Sequence, residues 1–249
     1  MKTPHFYAVI IGSEILNARR DDKHFIFLRD ALIRRGHTLF SSCIIKDDPV
    51  LIHNTFAMIK NDPDAVMFSF GGIGSTPDDL TRQIASDVFS DGILVPQEQF
   101  TRAIVERFGE AAYPHRINMA KLPQNAGLLY NVINNMSGFY LDDRYFFMPG
   151  FPEMSHPMAE EALDRFYPRA IPVYRKTLIA QTSENTLIDV MKQVDESTDF
   201  SSLPMMNGGN PIVEISVASE SLERCIVNFK LFIDALEAKK IRYEIIKDN

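Results

Sequence analysis

Ala65-Val66-Met67-Phe68-Ser69-Phe70-Gly71-Gly72-Ile73-Gly74-Ser75-Thr76-Pro77-Asp78-Asp79-Leu80-Thr81 is the stretch on which the fold is read. Its first six residues are a short apolar run of strand length, as expected of a strand buried on both faces. Its last six begin with Thr76 as a helix N-cap, Pro77 as the first helical residue and Asp79 as the third, close to a capping box. Gly71, Gly72 and Gly74 lie between. Strand, glycine turn and helix in succession aim backbone N–H groups and the positive helix end at the space above a sheet edge, which suits an anion. Asp78 and Asp79 oppose that, since two carboxylates repel a phosphate. A divalent cation bridging carboxylate and phosphate reconciles them, because hard oxygen ligands suit Mg²⁺. Stabilisation of the helix end, worth roughly 0.3–1 kcal/mol per carboxylate, accounts equally well for either aspartate alone but not for the glycine turn.

Upstream, Phe6 to Ile11 is a continuous apolar run, a candidate central strand. It ends at Gly12-Ser13-Glu14-Ile15-Leu16, which puts Glu14 just past a strand C-terminus, where open α/β sheets bind ligands. A helix is expected from Asp22 to Arg35, stopped by Gly36. His37 to Ile45 reads as the second strand, and Lys46-Asp47-Asp48-Pro49 follows with Asp48 as N-cap and Pro49 as first helical residue. That helix runs to about Asn61 and returns to the strand before the glycine turn. The alternation of strands and helices predicts a doubly wound, mostly parallel sheet with helices on both faces. Glu14, Asp47 and the glycine turn then converge on one sheet edge.

Downstream, helices are expected at Thr81 to Phe89 and Gln97 to Phe108, strands at Leu128 to Val132 and Arg144 to Met148, and a turn over Gly138 to Asp143. Pro149-Gly150-Phe151-Pro152-Glu153-Met154 opens a helix to about Phe166, and Pro168 and Pro172 bracket a domain boundary. The remainder reads as a small α+β domain. Strands fall at Val173 to Gln181, Ile212 to Ala218 and Ile241 to Ile246, helices at Glu184 to Val194 and Ser219 to Lys240, and a polar loop at Ser197 to Pro211.

Composition limits the function classes. The chain has 249 residues, 45% hydrophobic and 24% charged, which suits a soluble globular protein with a real core. A net charge of −7 argues against nucleic acid as the main partner. Two distant cysteines, Cys43 and Cys225, argue against a disulfide framework, and neither a signal peptide nor a membrane span is legible, so a cytoplasmic protein is expected. The six histidines show no zinc-ligand spacing. Neither a G-x-G-x-x-G fingerprint nor a phosphate-loop lysine is present, and Ser13 and Ser75 lack a nucleophile-elbow setting. Arg116 and Arg144 are lone arginines, more often surface ion-pair partners than anion ligands.

Four separated motifs, in order, resemble those of the molybdopterin-binding (MoCF biosynthesis) family: Gly12-Ser13-Glu14-Ile15-Leu16, Lys46-Asp47-Asp48, the glycine turn from Gly71 to Thr81, and Pro149 to Met154. Within the family the match is to CinA-like (competence/damage-inducible) members, over roughly residues 5 to 168. No stretch corresponds to their C-terminal amidohydrolase domain, so deamidation is not implied. The resemblance implies a Rossmann-like, MoaB/MogA-like α/β domain at 1–168, a small α+β domain at 169–249, a homo-oligomer and Mg²⁺-type metal use. It makes Asp47 and Asp79 the acidic positions that hold metal and the reacting phosphates. Gly71, Gly72, Gly74, Ser75 and Thr76 match the turn around a pterin phosphate or nucleotide, and Gly12, Thr81, Pro149 and Gly150 belong to the matching motifs. Some relatives hydrolyse ADP-ribose at its pyrophosphate bond. Ser13, Ser75 and Asp22-Lys23-His24 depart from the common pattern and bear on the choice of substrate. Two readings follow. One is a metal-assisted pyrophosphatase or nucleotidyl-transfer enzyme with Asp79, Asp47 and Glu14 as catalytic groups, Glu14 orienting or activating water. The other is a non-catalytic module that binds molybdopterin or a nucleotide; a regulatory assembly role has no specific support.

Overall fold

The first three apolar runs form strands, the first and third buried on both faces and the second largely exposed, in a computed structural model that describes residues 3–168 and 173–246. β1 (His5–Ile11) leads through a single-turn helix α1 (Ser13–Leu16) to α2 (His24–Ile33). β2 (Leu39–Ile45), α3 (Pro49–Lys60), β3 (Ala65–Phe70) and α4 (Thr81–Phe89) complete the alternation. β4 (Leu94–Pro96), α5 (Glu98–Phe108), β5 (Lys121–Pro123), β6 (Gly127–Leu129), β7 (Gly138–Leu141), β8 (Tyr145–Met148) and α6 (Pro152–Phe166) follow. Local signals fix several boundaries. Asp48 caps α3 by accepting from the Leu51 N–H at 2.8 Å, with Pro49 in the first turn. Asp22 caps α2, its carboxylate accepting from the His24 and Phe25 N–H groups at 2.8 and 3.1 Å.

The chain divides into two compact units, residues 1–170 and 171–249. The expected boundary around Pro172 falls at residues outside those described. In the first unit a six-stranded sheet runs β2-β1-β3-β8-β7-β6. The first four strands are parallel, and β7 is antiparallel to both neighbours. The sheet is therefore mixed α/β and mostly parallel, with helices on both faces. Side chains alternate across it. Tyr7, Val9, Ile11 and Met67 pack with Phe56 of α3, Val88 of α4 and Ile104 of α5. Phe6, Ala8, Ile10 and Phe68 pack with Leu32 of α2 and Leu163 of α6.

β7 corrects an expectation. Gly138 to Leu141 is a strand, and only Asp142, Asp143 and Arg144 turn, the two aspartates in the left-handed region at φ 52° and 54°. The tight turn between Leu141 and Tyr145 takes such angles, and Asp-Asp lacks the glycine that usually advertises them. Buried Phe139 and Leu141 hold the strand to the core.

The second unit is an antiparallel sheet ordered β10-β11-β9-β12, formed by β9 (Tyr174–Ala180), β10 (Asp199–Asn207), β11 (Asn210–Ser219) and β12 (Tyr243–Ile246), with helices α7 (Ile188–Met191) and α8 (Leu222–Ala238). Leu178, Val213, Ile215 and Val217 meet Phe229, Phe232 and Leu236 of α8. The polar stretch expected as a loop at Ser197 to Pro211 is instead mostly β10 and its hairpin turn at Gly208-Gly209. β10 is an edge strand of exposed and half-buried residues, so its composition resembles a loop. The helix expected at Glu184 to Val194 shortens to a 3-10 turn (Glu184–Thr186) and α7. Among the described residues, no helix is long and apolar enough to cross a membrane.

Ser69, the penultimate residue of β3, is fully buried, and its hydroxyl has no hydrogen-bond partner among the described residues. Leaving a buried donor unpaired costs about 1–3 kcal/mol. Ser69→Ala is expected to leave the urea unfolding midpoint unchanged or to raise it. A clear fall in the midpoint would show that the hydroxyl is satisfied.

Candidate functional site

Parallel pairing brings the chemistry-bearing segments to one edge. Ile11 is paired with Ile45, Ile10 with Phe70, and Phe70 with Met148. Gly12, Asp47, Gly71 and Pro149 therefore all lie just beyond strand C-termini, the edge where open α/β sheets bind ligands.

Each segment is tied to its neighbour. Ser13 donates its N–H to Asp47 Oδ2 at 2.7 Å, and Asp47 returns its N–H to Ser13 Oγ at 3.4 Å, which locks the end of β1 to that of β2. Glu14, in α1, folds back over Gly12, so that a Cβ on Gly12 would lie 3.0 Å from Glu14 Oε2. Its carboxylate is 4.0 Å from Arg20, and the Arg20 guanidinium lies 5.5 Å from the centre of the Phe151 ring, linking Glu14 to the Pro149-Gly150 turn. Gly71 donates its N–H to the Met148 carbonyl at 2.9 Å. Its φ is +109°, and a Cβ there would run into the Ile11 carbonyl oxygen, so only glycine fits between these strand ends.

The turn itself differs from the expected capping box. Thr76 does not cap α4. Asp79 instead closes a separate turn on Thr76, its Oδ2 accepting from the Thr76 N–H at 2.8 Å and hydroxyl at 2.6 Å. α4 begins at Thr81, whose N–H donates to the Gly72 carbonyl at 3.0 Å and whose buried hydroxyl donates to that of Gly71 at 3.1 Å. The Asp79 carboxylate thereby satisfies the Thr76 donors locally, an alternative to helix that Asp side chains offer the backbone. Asp79 also presses on Gly74, where a Cβ would stand 2.5 Å from Oδ2. Asp78 is exposed on this outer turn, not on the helix.

Among the described residues, the N–H groups of Gly72, Ile73, Gly74 and Ser75 donate to no protein acceptor. Four consecutive free donors at a strand C-terminus are the backbone chemistry of phosphate binding. Asp47 and Asp79 each keep a second oxygen beyond these bonds. Among the described residues no three His, Cys, Asp or Glu side chains gather into a metal site. The residues fit the open type of Mg²⁺ site, in which one or two carboxylates, water and substrate phosphates complete the coordination.

Two features escape the sequence reading. Arg82, only 8% exposed, donates to the Ile73 and Gly74 carbonyls beneath the turn. Burial pulls the pKa of this guanidinium down, with the field of Asp79 opposing. Behind the turn, His24 is 4% exposed and stacks on Phe70 at 4.5 Å, edge-on to His156 at 5.3 Å. His156 stacks in turn on Phe27 at 3.7 Å. His24 Nδ1 and His156 Nε2 are buried without partners. Neither arrangement has a spacing signature, because each joins residues on separate elements.

A family profile described as "Probable molybdopterin binding domain" matches residues 7–169. A CinA-like protein of Syntrophotalea carbinolica is 31% identical over 166 residues, covering 64% of this chain and 40% of that protein. A CinA-like protein of Sulfurihydrogenibium is 23% identical, covering 97% of this chain and 63% of its own length. The chain spans about half the length of the curated relatives it matches. Among solved structures, CinA of Thermoplasma acidophilum, described as of unknown function, superposes with a TM-score of 0.58 at 23% identity, covering 66% of this chain and 97% of that one. MoaB of Thermus superposes with a TM-score of 0.43 at 14% identity, covering 67% and 92%.

The histidine pair gives the site a measurable pH signature. Burial pushes His156 down to about 4, helped by the neighbouring His24 and opposed by Glu153, Asp22 and Glu160. His24 is also lowered, first by burial and then by Arg20, against Asp22, the Gly150 backbone and Glu153. Folding thus favours neutral rings, while the unfolded chain takes up protons below about pH 6.5. The unfolded state then binds more protons, so stability falls as pH falls. Unfolding free energy is expected to hold steady above pH 6.5 and to decline towards pH 4, with a shallower slope in His156→Gln. Equal slopes would contradict the assignment.

Proposed function

The chain belongs to the family described as "Probable molybdopterin binding domain", and from that premise we propose that the Gly71–Thr81 turn binds the phosphates of a nucleotide-like or pterin ligand and supports metal-assisted cleavage or transfer at a pyrophosphate bond. The observation that carries this reading is the run of free N–H donors from Gly72 to Ser75 at the edge shared by Glu14, Asp47 and Asp79. Donors fixed in place before the ligand arrives stabilise phosphoryl charge without reorganisation. Asp79, with Asp47 beside the β1–β2 junction, would hold a divalent cation, which when bound neutralises and polarises the phosphoryl group. Gly12 and the Pro149-Gly150 turn wall the same edge, and Thr81 holds the turn's carbonyls inward, leaving its donors for the ligand.

In the hydrolytic case, water adds to one phosphorus as the bridging P–O bond breaks. Glu14 takes the proton of the attacking water, and its contact with Arg20 keeps its carboxylate at the edge. ADP-ribose would then yield AMP and ribose 5-phosphate, one oxygen of the new phosphate coming from water. In the transfer case a ligand hydroxyl or phosphate replaces water. A cytoplasmic homo-oligomer is the assembly that accompanies this reading.

One observation favours the second reading, a binding module without turnover. Asp47 and Asp79 each already use Oδ2 to hold the protein's own backbone, so their acidity has a structural purpose.

Incubation with ADP-ribose and Mg²⁺, Mn²⁺ or Co²⁺ is expected to release AMP, with turnover reduced roughly a hundredfold or more in Asp79→Asn, since a metal contact to developing charge is worth several kcal/mol. Unchanged turnover in that variant would remove Asp79 from the mechanism. Thermal shift separates the two readings. A binding module should gain stability with a nucleoside diphosphate or pterin phosphate, by about 2.7 kcal/mol at a hundred times Kd, while forming no product.

A further inference from the structure

Arg82 lies beneath the turn and belongs to none of the motifs that point to the site. A buried arginine ordinarily meets a carboxylate. Here, among the described residues, no carboxylate comes within ion-pair distance, and Asp79 acts on it only through its field. Its Nη1 instead donates to two successive backbone carbonyls, that of Ile73 and, at 2.5 Å, that of Gly74. A trans peptide unit is planar, and its C=O and N–H point in opposite directions. Holding the Ile73 carbonyl on the buried cation therefore turns the Gly74 N–H away from it, and holding the Gly74 carbonyl does the same for Ser75. These two N–H groups have no protein acceptor among the described residues. The guanidinium is also a permanent charge only weakly screened by water at this depth.

We propose that Arg82 is the positioning residue of the phosphate site: it fixes two peptide planes so that the Gly74 and Ser75 N–H groups face an anionic phosphate, and it sets a positive charge beneath them. The proposal rests on reading the turn as a phosphate site and adds the group that prepares it. It also explains how a turn flanked by Asp78 and Asp79 attracts an anion. The buried cation offsets the field of Asp79 from below, and the exposed Asp78 carboxylate is screened by solvent. Lysine in this place keeps the charge but puts a compact, strongly hydrated ammonium where the guanidinium Nη1 donates to both carbonyls. Methionine keeps much of the volume and removes both.

Inorganic pyrophosphate with Mg²⁺ is the probe, followed by calorimetric titration and by amide NMR of the full chain. In the unsubstituted protein the Gly74 and Ser75 amide protons are expected to move downfield on saturation. Arg82→Met is expected to weaken binding roughly tenfold or more, the scale of hydrogen bonds to a charged group, with Arg82→Lys recovering part of the loss. Binding without movement of these two amides would overturn the role of Arg82 while leaving the phosphate site intact. So would equal affinity in a folded Arg82→Met. The amide test needs no variant and decides the question even if Arg82→Met fails to fold. Absence of any pyrophosphate binding by the unsubstituted protein would overturn both the phosphate site and the part given to Arg82.

Discussion

The hydrogen bond from the Gly71 N–H to the Met148 carbonyl marks the place on which the rest of this structure depends. There the ends of β1, β3 and β8 come so close that the Gly71 backbone touches the Ile11 carbonyl on one side and approaches Gly150 on the other. That closeness follows from the parallel pairing of β1, β3 and β8, which brings their C-termini to one edge. A chain leaving that edge must turn at once. The two glycines at Gly71 and Gly150 let the turns pass side by side, and every proposed ligand-facing group is carried on one of them or on the neighbouring ends of β1 and β2.

Electrostatics at this edge are balanced by geometry, not by composition. Three carboxylates, Glu14, Asp47 and Asp79, stand beside a run of backbone donors on a chain whose net charge is −7. Each carboxylate is constrained. Asp47 is held by Ser13, Asp79 by Thr76, and Glu14 lies near Arg20. Binding them to the scaffold limits their repulsion of an anion and leaves one face of each for a cation. The compensating positive element lies behind the turn, where the Arg82 guanidinium is buried; the neighbouring pair of imidazoles between Phe70 and Phe27 is neutral and fills space. Burying a charge is costly unless it is paired or hydrogen-bonded, so the presence of Arg82 in this place is a strong constraint on the turn's conformation.

The second unit follows a different rule. Its sheet is antiparallel, with one face packed on α8. The residue types of β11 alternate, with Val213, Ile215 and Val217 on the α8 face, while β10, at an edge, buries none of its residues fully and its strand character is hidden.

Much of the first unit is determined by the sequence itself. Continuous apolar runs specify β1 and β3, Asp48-Pro49 specifies the start of α3, and the spacing of strands and helices specifies a doubly wound sheet, which in turn brings Glu14, Asp47 and the glycine turn to one edge. These signals are local, or depend only on the regularity of parallel crossovers. Tertiary structure alone decides the rest. Thr76, Pro77 and Asp79 carry the letters of a helix start, yet the carboxylate closes a turn of its own and α4 begins at Thr81, because the chain returning to Gly71 and Gly72 supplies better acceptors for Thr81. Likewise Arg82 reads as an ordinary surface cation of a helix, and His24 and His156 as unrelated histidines 132 positions apart. Their meeting points lie on segments that only the packed sheet brings together, and no pattern within either segment records which neighbour it will face.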